Sequence, residues 1–426
     1  MGGLQYAAFI IPVLLLLVGL EYLVSRRKGV EAYTLGDTIV NICCGILERL
    51  FDLFWIVLLY FLFDYLYDLA PWHIPMNAGT WILAFFVADF LAYWHHRLSH
   101  QINFMWAAHI VHHQSEELNL TTVFRVSAFA VINRTFFWIW MPFMGFSPEM
   151  ATASILFIGL YQFVTHTRLV GKLGWLEYLF VTPSHHRVHH ARNEKYIDQN
   201  YGHVFIIWDR MFGTFKEEEE EPDYGITTGF ESANPYRAYF FYWKDLFRRA
   251  KGAKRWSDKI KVFLTPPAWN PEGVEHMAGE YQVDKQGKRV KYRVNTPFRL
   301  QLYVFLSVLF TVSAFVSMLL IQRGIESPTI PQLISHPTII TLGILVMVSI
   351  LAHGLLLEQK KFGLMVEYGR LVLISALVPW LAFQTPYPVL LIVISLSFAL
   401  IQLVWLLRMR NYFTEEKPKP QVAQTA

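Results

Sequence analysis

The sequence predicts an all-α fold: a polytopic bundle of membrane helices carrying a cytoplasmic, histidine-rich domain suited to two metal ions. Three observations lead there. The 426-residue chain is 54% hydrophobic and only 16% charged, where a soluble domain carries nearer a quarter charged residues. Its apolar residues gather into runs long enough to cross a bilayer. Twelve of its sixteen histidines fall between His95 and His203.

Taken in order, residues 1–78 read as N-terminal transmembrane helices. Tyr6–Val24 is a first span, and Arg26, Arg27 and Lys28 follow it at once. That places its end on the cytoplasmic side. The start has no basic stretch before the apolar run and no small-residue cleavage site, so it reads as a retained span. Ile39–Phe63 is a second span. Its Glu48, Arg49 and Asp52 are costly in lipid and are expected to pair or to face other helices. Cys43 and Cys44 are adjacent inside this run, too close for an ordinary disulfide, and read as small apolar fillers.

Residues 79–260 read as the catalytic domain. Thr80–Tyr93 returns to the inner side and delivers His95, His96 and His100. Val123–Phe146 and Pro148–Thr165 read as a hairpin dipping into the membrane. The acidic run Glu217–Glu221 reads as a solvated loop. Residues 261–297 are a cytoplasmic linker, with Leu264–Asn270 and Gln282–Lys291 irregular. Residues 298–412 form a second membrane block, with spans at Leu300–Ile321, Thr338–Ala352, Leu371–Phe383 and Val389–Leu407. The loops around Pro328 and Pro386 are expected outside. Residues 413–426 read as a disordered tail. The formal charge of +4 is too small to argue for nucleic acid; it fits basic residues at helix ends.

The chemistry lies in three histidine clusters: His96 and His100; His109, His112 and His113; His186, His189 and His190. Spacings of three and four place imidazoles on one helix face. Neutral imidazole binds transition metals strongly. Eight rings exceed the coordination of one ion, so two metals are the economical reading. His166 is a further candidate ligand at the end of the hairpin's second arm. His95, His185 and His203 read as neighbours of the site or as packing groups, and His73, His276, His336 and His353 as isolated. The chain has no thiolate set for a structural zinc or an iron–sulfur cluster, and no His-Glu-x-x-His pair. Iron, zinc and copper all remain compatible with imidazole alone. An imidazole-lined metal pair at a bilayer surface suits iron that activates oxygen against a lipid C–H bond. Asp89, Glu116, Asn119, Asp198 and Asn200 are available to fix the outer ring nitrogens. Arg97 and Arg187 either orient carboxylates or face headgroups. Tyr93, Trp94, Phe104 and Trp106 either line an acyl approach or form an interfacial aromatic belt.

The segments Asp89-Phe90-Leu91-Ala92-Tyr93-Trp94-His95-His96-Arg97-Leu98-Ser99-His100, Trp106-Ala107-Ala108-His109-Ile110-Val111-His112-His113 and Thr182-Pro183-Ser184-His185-His186-Arg187-Val188-His189-His190 carry a resemblance. So do Asn119-Leu120-Thr121-Thr122, Asn200-Tyr201-Gly202 and Trp208-Asp209-Arg210-Met211-Phe212-Gly213-Thr214. Together they resemble the fatty acid hydroxylase/sterol desaturase superfamily over about residues 80–220. The C-terminal membrane block makes the chain most similar to the branch that cleaves alkylglycerol ethers.

The resemblance implies a membrane non-haem monooxygenase with two Fe ions held by His96, His100, His109, His112, His113, His186, His189 and His190. It implies hydroxylation, with molecular oxygen, of the carbon beside the ether oxygen of a lipid substrate, followed by release of a fatty aldehyde. It implies reduced tetrahydrobiopterin as electron donor. Gln101 stands where that branch carries an acid, so a redox protein stays open as the donor. The alternatives are a sterol, fatty acyl or carotenoid hydroxylase or desaturase fed by a cytochrome or ferredoxin, and, further off, a metal-handling membrane protein.

Overall fold

In lipid a backbone satisfies its own N–H and C=O groups, which a helix does within one segment. In a computed structural model the chain is accordingly helical. The structure describes residues 3–277, 282–283, 289–323, 336–383 and 387–413. Helix α1 spans Gly3–Arg27, α2 Leu35–Asp68, α3 Ala78–Gln101 and α4 Asn103–His113. The short α5 (Ala130–Trp138) and α6 (Trp140–Phe143) lead to α7 (Pro148–Thr165). Then come α8 (Pro183–His190), α9 (Ile207–Phe212), α10 (Pro235–Gly252) and α11 (Trp256–Leu264). The C-terminal block is α12 (Phe298–Arg323), α13 (Pro337–Leu357), α14 (Lys361–Ala382) and α15 (Pro388–Met409). Two-residue strands β1 (Gln282–Val283) and β2 (Arg289–Val290) pair antiparallel. The stretch expected to be irregular there therefore holds a small strand pair.

The protein is a polytopic membrane bundle. Among the described residues, four helices are long and apolar enough to cross a bilayer: Phe298–Ile321, Pro337–Leu357, Lys361–Ala382 and Pro388–Phe413. They pack in chain order, α12 on α13, α13 on α14 and α14 on α15, while α1 and α2 lie on α12. The third of these helices begins ten residues before the apolar run that predicts it. The reason is a buried ion pair: Arg370 donates through Nε to Glu367 Oε2 at 2.8 Å and through Nη2 to Glu367 Oε1 at 2.6 Å. Each side chain is fully buried. The pair neutralises two charges that break the apolar run in sequence. The expected loops around Pro328 and Pro386, and the expected tail from residue 414 on, lie outside the described residues. Phe413 is ordered and buried at the end of a 3-10 turn.

The polar residues of α2 pair as expected. Arg49 Nε lies 2.6 Å from Glu48 and its Nη1 2.7 Å from Asp52, and Arg134 of α5 reaches Glu48 at 2.5 Å. Cys43 and Cys44 are buried and unpaired. The chain turns at Gly145–Ser147 between two helical arms that both pack on α3, but the first arm starts at Ala130 and is broken into α5 and α6. Before it, Thr122–Phe124 form only a 3-10 turn, and buried Arg125 donates from its guanidinium to the Val111 carbonyl, Asp37 and Asn41.

The acidic run is a solvated loop as expected, with Glu217, Glu219, Glu220 and Glu221 exposed, but it is pinned by cations. Glu218 makes a two-point contact with Arg187, Nε at 2.7 Å and Nη2 at 2.6 Å. Glu219 and Glu220 meet Lys195, Glu219 also meets Lys216, and Glu221 meets Arg168. The run is a strap along α8, because cations dispersed in sequence converge on it.

Candidate metal centre

Helices α3, α4 and α8 and the end of α7 bring nine histidines together, and they divide into two sets. His96, His100, His109, His113 and His189 form one, and His112, His166, His186 and His190 the other. Within each, one nitrogen per ring lies within 4.8 Å of every other. The i,i+4 pairs stay together: His96 with His100, His109 with His113, His186 with His190. The odd residue of each triplet crosses over. His112 leaves α4 for the second set, and His189 leaves α8 for the first. A residue one step away on a helix points about 100° round the axis, which makes the split unavoidable.

His166, a single residue in the sequence, is central. Its Nε2 lies 3.1 Å from His112 Nε2, 2.9 Å from His186 Nε2 and 3.2 Å from His190 Nε2. In the first set, His109 Nε2 lies 3.0 Å from His96 Nε2 and 3.1 Å from His113 Nε2.

The outer nitrogens fix which atom faces inward. His96 Nδ1 donates to the Tyr201 carbonyl at 2.8 Å, His189 Nδ1 to the Gln199 carbonyl at 3.0 Å, and His166 Nδ1 to the Gln162 carbonyl at 2.6 Å. A neutral imidazole that donates from Nδ1 carries a bare lone pair on Nε2. Lone pairs therefore point at one another across both sets. His100 Nε2 and His189 Nε2 are buried without a hydrogen-bond partner. Converging, dry lone pairs repel unless a cation sits between them, and a soft-to-borderline metal is the cation that imidazole prefers. The residues present fit a pair of metal ions.

Burial, followed by mutual repulsion, holds the protonation equilibria of His113, His189 and His190 well below the ordinary histidine range. His166 is pushed down to about 4 by burial. The rings thus stay neutral, the form that ligates.

Of the five polar residues expected to orient the ligands, Asp198 alone touches a ring, at 3.4 Å from His100 Nδ1. Asp89 instead accepts from the Val204 and Phe205 amides and from Trp208 Nε1. Glu116 holds Arg192 and Arg289, Asn119 ties the Ala32 carbonyl, and Asn200 binds the carbonyls of His185 and Lys216. Backbone carbonyls do the orienting, and residue types do not reveal them. Gln162 offers its carbonyl from the last turn of α7, while those of Gln199 and Tyr201 are presented by the loop 198–202, where Asp198 and Asn200 adopt positive φ of 59° and 55°, a conformation Asp and Asn tolerate better than most. Asp209 fixes this loop by accepting from the Tyr201 amide at 2.7 Å and the Gly202 amide at 2.8 Å. A Cβ on Gly202 would lie 2.8 Å from Asp209 Oδ2, so the position requires glycine.

The arginines are also resolved. Arg187 grips Glu218 and donates to the carbonyls of Thr167 and Val170, directly after His166. It links α8 to the segment that follows α7. Arg97 bonds the Tyr93 hydroxyl and the Phe212 carbonyl. Trp106 packs its ring 4.8 Å from His100 and 5.6 Å from His113. Tyr93 is fully buried against Thr214 rather than at an interface. His203 stands 5.0 Å from His96, ring to ring. His95 packs on Phe137, and His185 caps its own helix start.

A sequence profile of the fatty acid hydroxylase family matches residues 81–214, the segment that carries all nine rings. The chain is 31% identical over 410 residues to alkylglycerol monooxygenase of Homo sapiens, covering 95% of this chain and 89% of that protein. The enzymes of the same name from Xenopus tropicalis and Danio rerio are 30% and 32% identical, with 85% and 81% of their lengths covered. The chain belongs to the alkylglycerol monooxygenase family. It is an oxidoreductase acting on lipids, a membrane lipid monooxygenase. No solved structure matches the chain.

Proposed function

We propose that the two histidine sets hold two iron ions, and that the protein hydroxylates the carbon beside the ether oxygen of alkylglycerols. One atom of molecular oxygen enters that C–H bond, and the other leaves as water with two electrons from a donor and two protons. The hemiacetal formed then collapses to a fatty aldehyde and glycerol. The observation that carries this reading is the convergence of Nε2 lone pairs from nine buried or half-buried rings into two adjacent sets. Bound iron supplies oxygen activation there. The enzymes similar along nearly the whole chain are named for alkylglycerols, which supports the ether lipid as substrate.

The chain's own residues supply the setting. The carbonyls of Tyr201, Gln199 and Gln162 hold three rings in the ligating tautomer. Trp106 shields His100 and His113 from water. In this reading residues 79–260 are the catalytic domain and the histidines face the cytoplasm. Basic Arg26, Arg27, Lys28, Lys360, Lys361, Arg408 and Arg410 support that orientation.

The test is reconstitution of the whole chain in nanodiscs with iron, an alkylglycerol and either reduced tetrahydrobiopterin or a reduced ferredoxin. Release of fatty aldehyde in one arm is expected and identifies the donor. Full iron content with no aldehyde in either arm overturns the substrate.

A further inference from the structure

The hairpin of α10 and α11 carries a surface that the metal centre does not use. On α10, Phe240, Trp243 and Phe247 recur at intervals of three and four and share one stripe. On α11, Ile260, Phe263 and Leu264 do the same. Phe247 and Phe263 meet edge to face, with centroids 5.6 Å apart, and join the stripes. The opposite face of α10, through Tyr239, Tyr242 and Leu246, is already packed in the core. Yet Phe247, Ile260 and Leu264 are 60% or more exposed. A continuous exposed apolar patch of this kind marks a contact surface.

Two facts identify what covers it. The first is charge. Residues 235–264 hold nine Lys and Arg against two Asp, a net +7 in a chain whose total is +4. Lys244, Lys251, Lys254 and Lys261 are exposed beside the stripe, and Lys259 lies over the Trp256 ring at 4.6 Å. An apolar stripe edged by lysine and tryptophan fits the boundary of an anionic bilayer. The second is depth. Helix α10 starts against the membrane span α13, so closely that a Cβ on Gly354 would lie 2.9 Å from Pro235. The Tyr236 hydroxyl donates to the Met347 carbonyl at 3.0 Å. Met347 is the middle residue of Pro337–Leu357, and Phe240 follows Tyr236 by one turn. The stripe thus continues a surface that already faces lipid.

We propose that the α10–α11 hairpin lies in the headgroup layer, its apolar stripe among acyl chains and its lysines on anionic phospholipid. The hairpin also holds α4. The Asn103 amide donates to the Thr265 carbonyl at 3.0 Å, Asn103 Nδ2 donates to the Pro266 carbonyl at 3.2 Å, and the Tyr242 hydroxyl donates to Asn103 Oδ1 at 2.5 Å. Lipid bound there stands beside the helix that carries His109, His112 and His113.

The test places a spin label on the whole chain at F247C, L264C or E194C. Cys43 and Cys44 are buried and stay unlabelled. Each variant is reconstituted in nanodiscs of phosphatidylcholine, with or without phosphatidylserine, and its thermal midpoint reports folding. Collisions with oxygen relative to a water-soluble nickel chelate are expected to be several-fold higher at 247 and 264 than at 194. Phosphatidylserine is expected to deepen the label at 264, and the K254E/K261E variant to lose that response. A ratio at 247 and 264 equal to that at 194 puts the stripe in water and overturns the proposal. Shielding from both reagents with spin–spin broadening puts a second copy of the chain there, with the same consequence. Indifference to phosphatidylserine overturns the assignment of the lysines.

Discussion

At the scale of single residues, the two histidine sets give separable outcomes. His166→Ala removes a ring from the four-histidine set alone, so iron per chain is expected to fall by about half, measured by elemental analysis of purified protein. The His73→Ala control, whose ring lies on Tyr67, keeps its metal. Loss of all metal from the His166 variant would mean that the sets fill as one. Glu218→Gln leaves Arg187 buried with half its ion pair. Breaking a buried pair costs about 3 kcal/mol, so a thermal midpoint several degrees lower is expected, with E218D recovering part of it. The histidine triplets were legible because helical spacing is short-range. Their division between the sets was not, since it depends on how α4 and α8 face each other. His166 was weakly legible because it comes alone, and the carbonyls of Gln162, Gln199 and Tyr201 were hidden because every residue has one.

At the scale of elements, the apolar runs predicted most of the spans. The exceptions are instructive. Sequence hydropathy shortens α14 because it counts Glu367 and Arg370 as two charges, whereas the fold counts one neutral pair joined also to the Tyr303 hydroxyl. The acidic run is solvated as its composition implies, but its cation partners were hidden because Arg187 and Lys195 are about thirty and twenty-five positions away in sequence. Glu367→Gln is expected to leave Arg370 as an unpaired buried charge. The resulting loss of about 3–5 kcal/mol would be read as early thermal unfolding of the C-terminal block in detergent. An unchanged midpoint would mean that water reaches Arg370.

At the scale of the molecule, buried neutral histidines set an acid limit. His166 is held at about 4 against an ordinary 6.5, and burial holds His113, His189 and His190 well below the ordinary range too. Below pH 6.5 the unfolded chain takes up protons that the folded chain refuses. Folding stability is therefore complete above about pH 6.5 and falls progressively as pH drops toward 4 and below. The metal-free protein should show a thermal midpoint that declines steadily between pH 7 and pH 5. A flat profile would place water or anions among the rings.

His112 and His113 are neighbours in the chain, as are His189 and His190, yet each couple serves both sets. One peptide unit therefore acts as the spacer between the two binding positions, twice over. Twisting either helix to improve one position spoils the other. A change that turns α4 or α8 therefore reaches both positions at once, whereas a change at His166 reaches only the second.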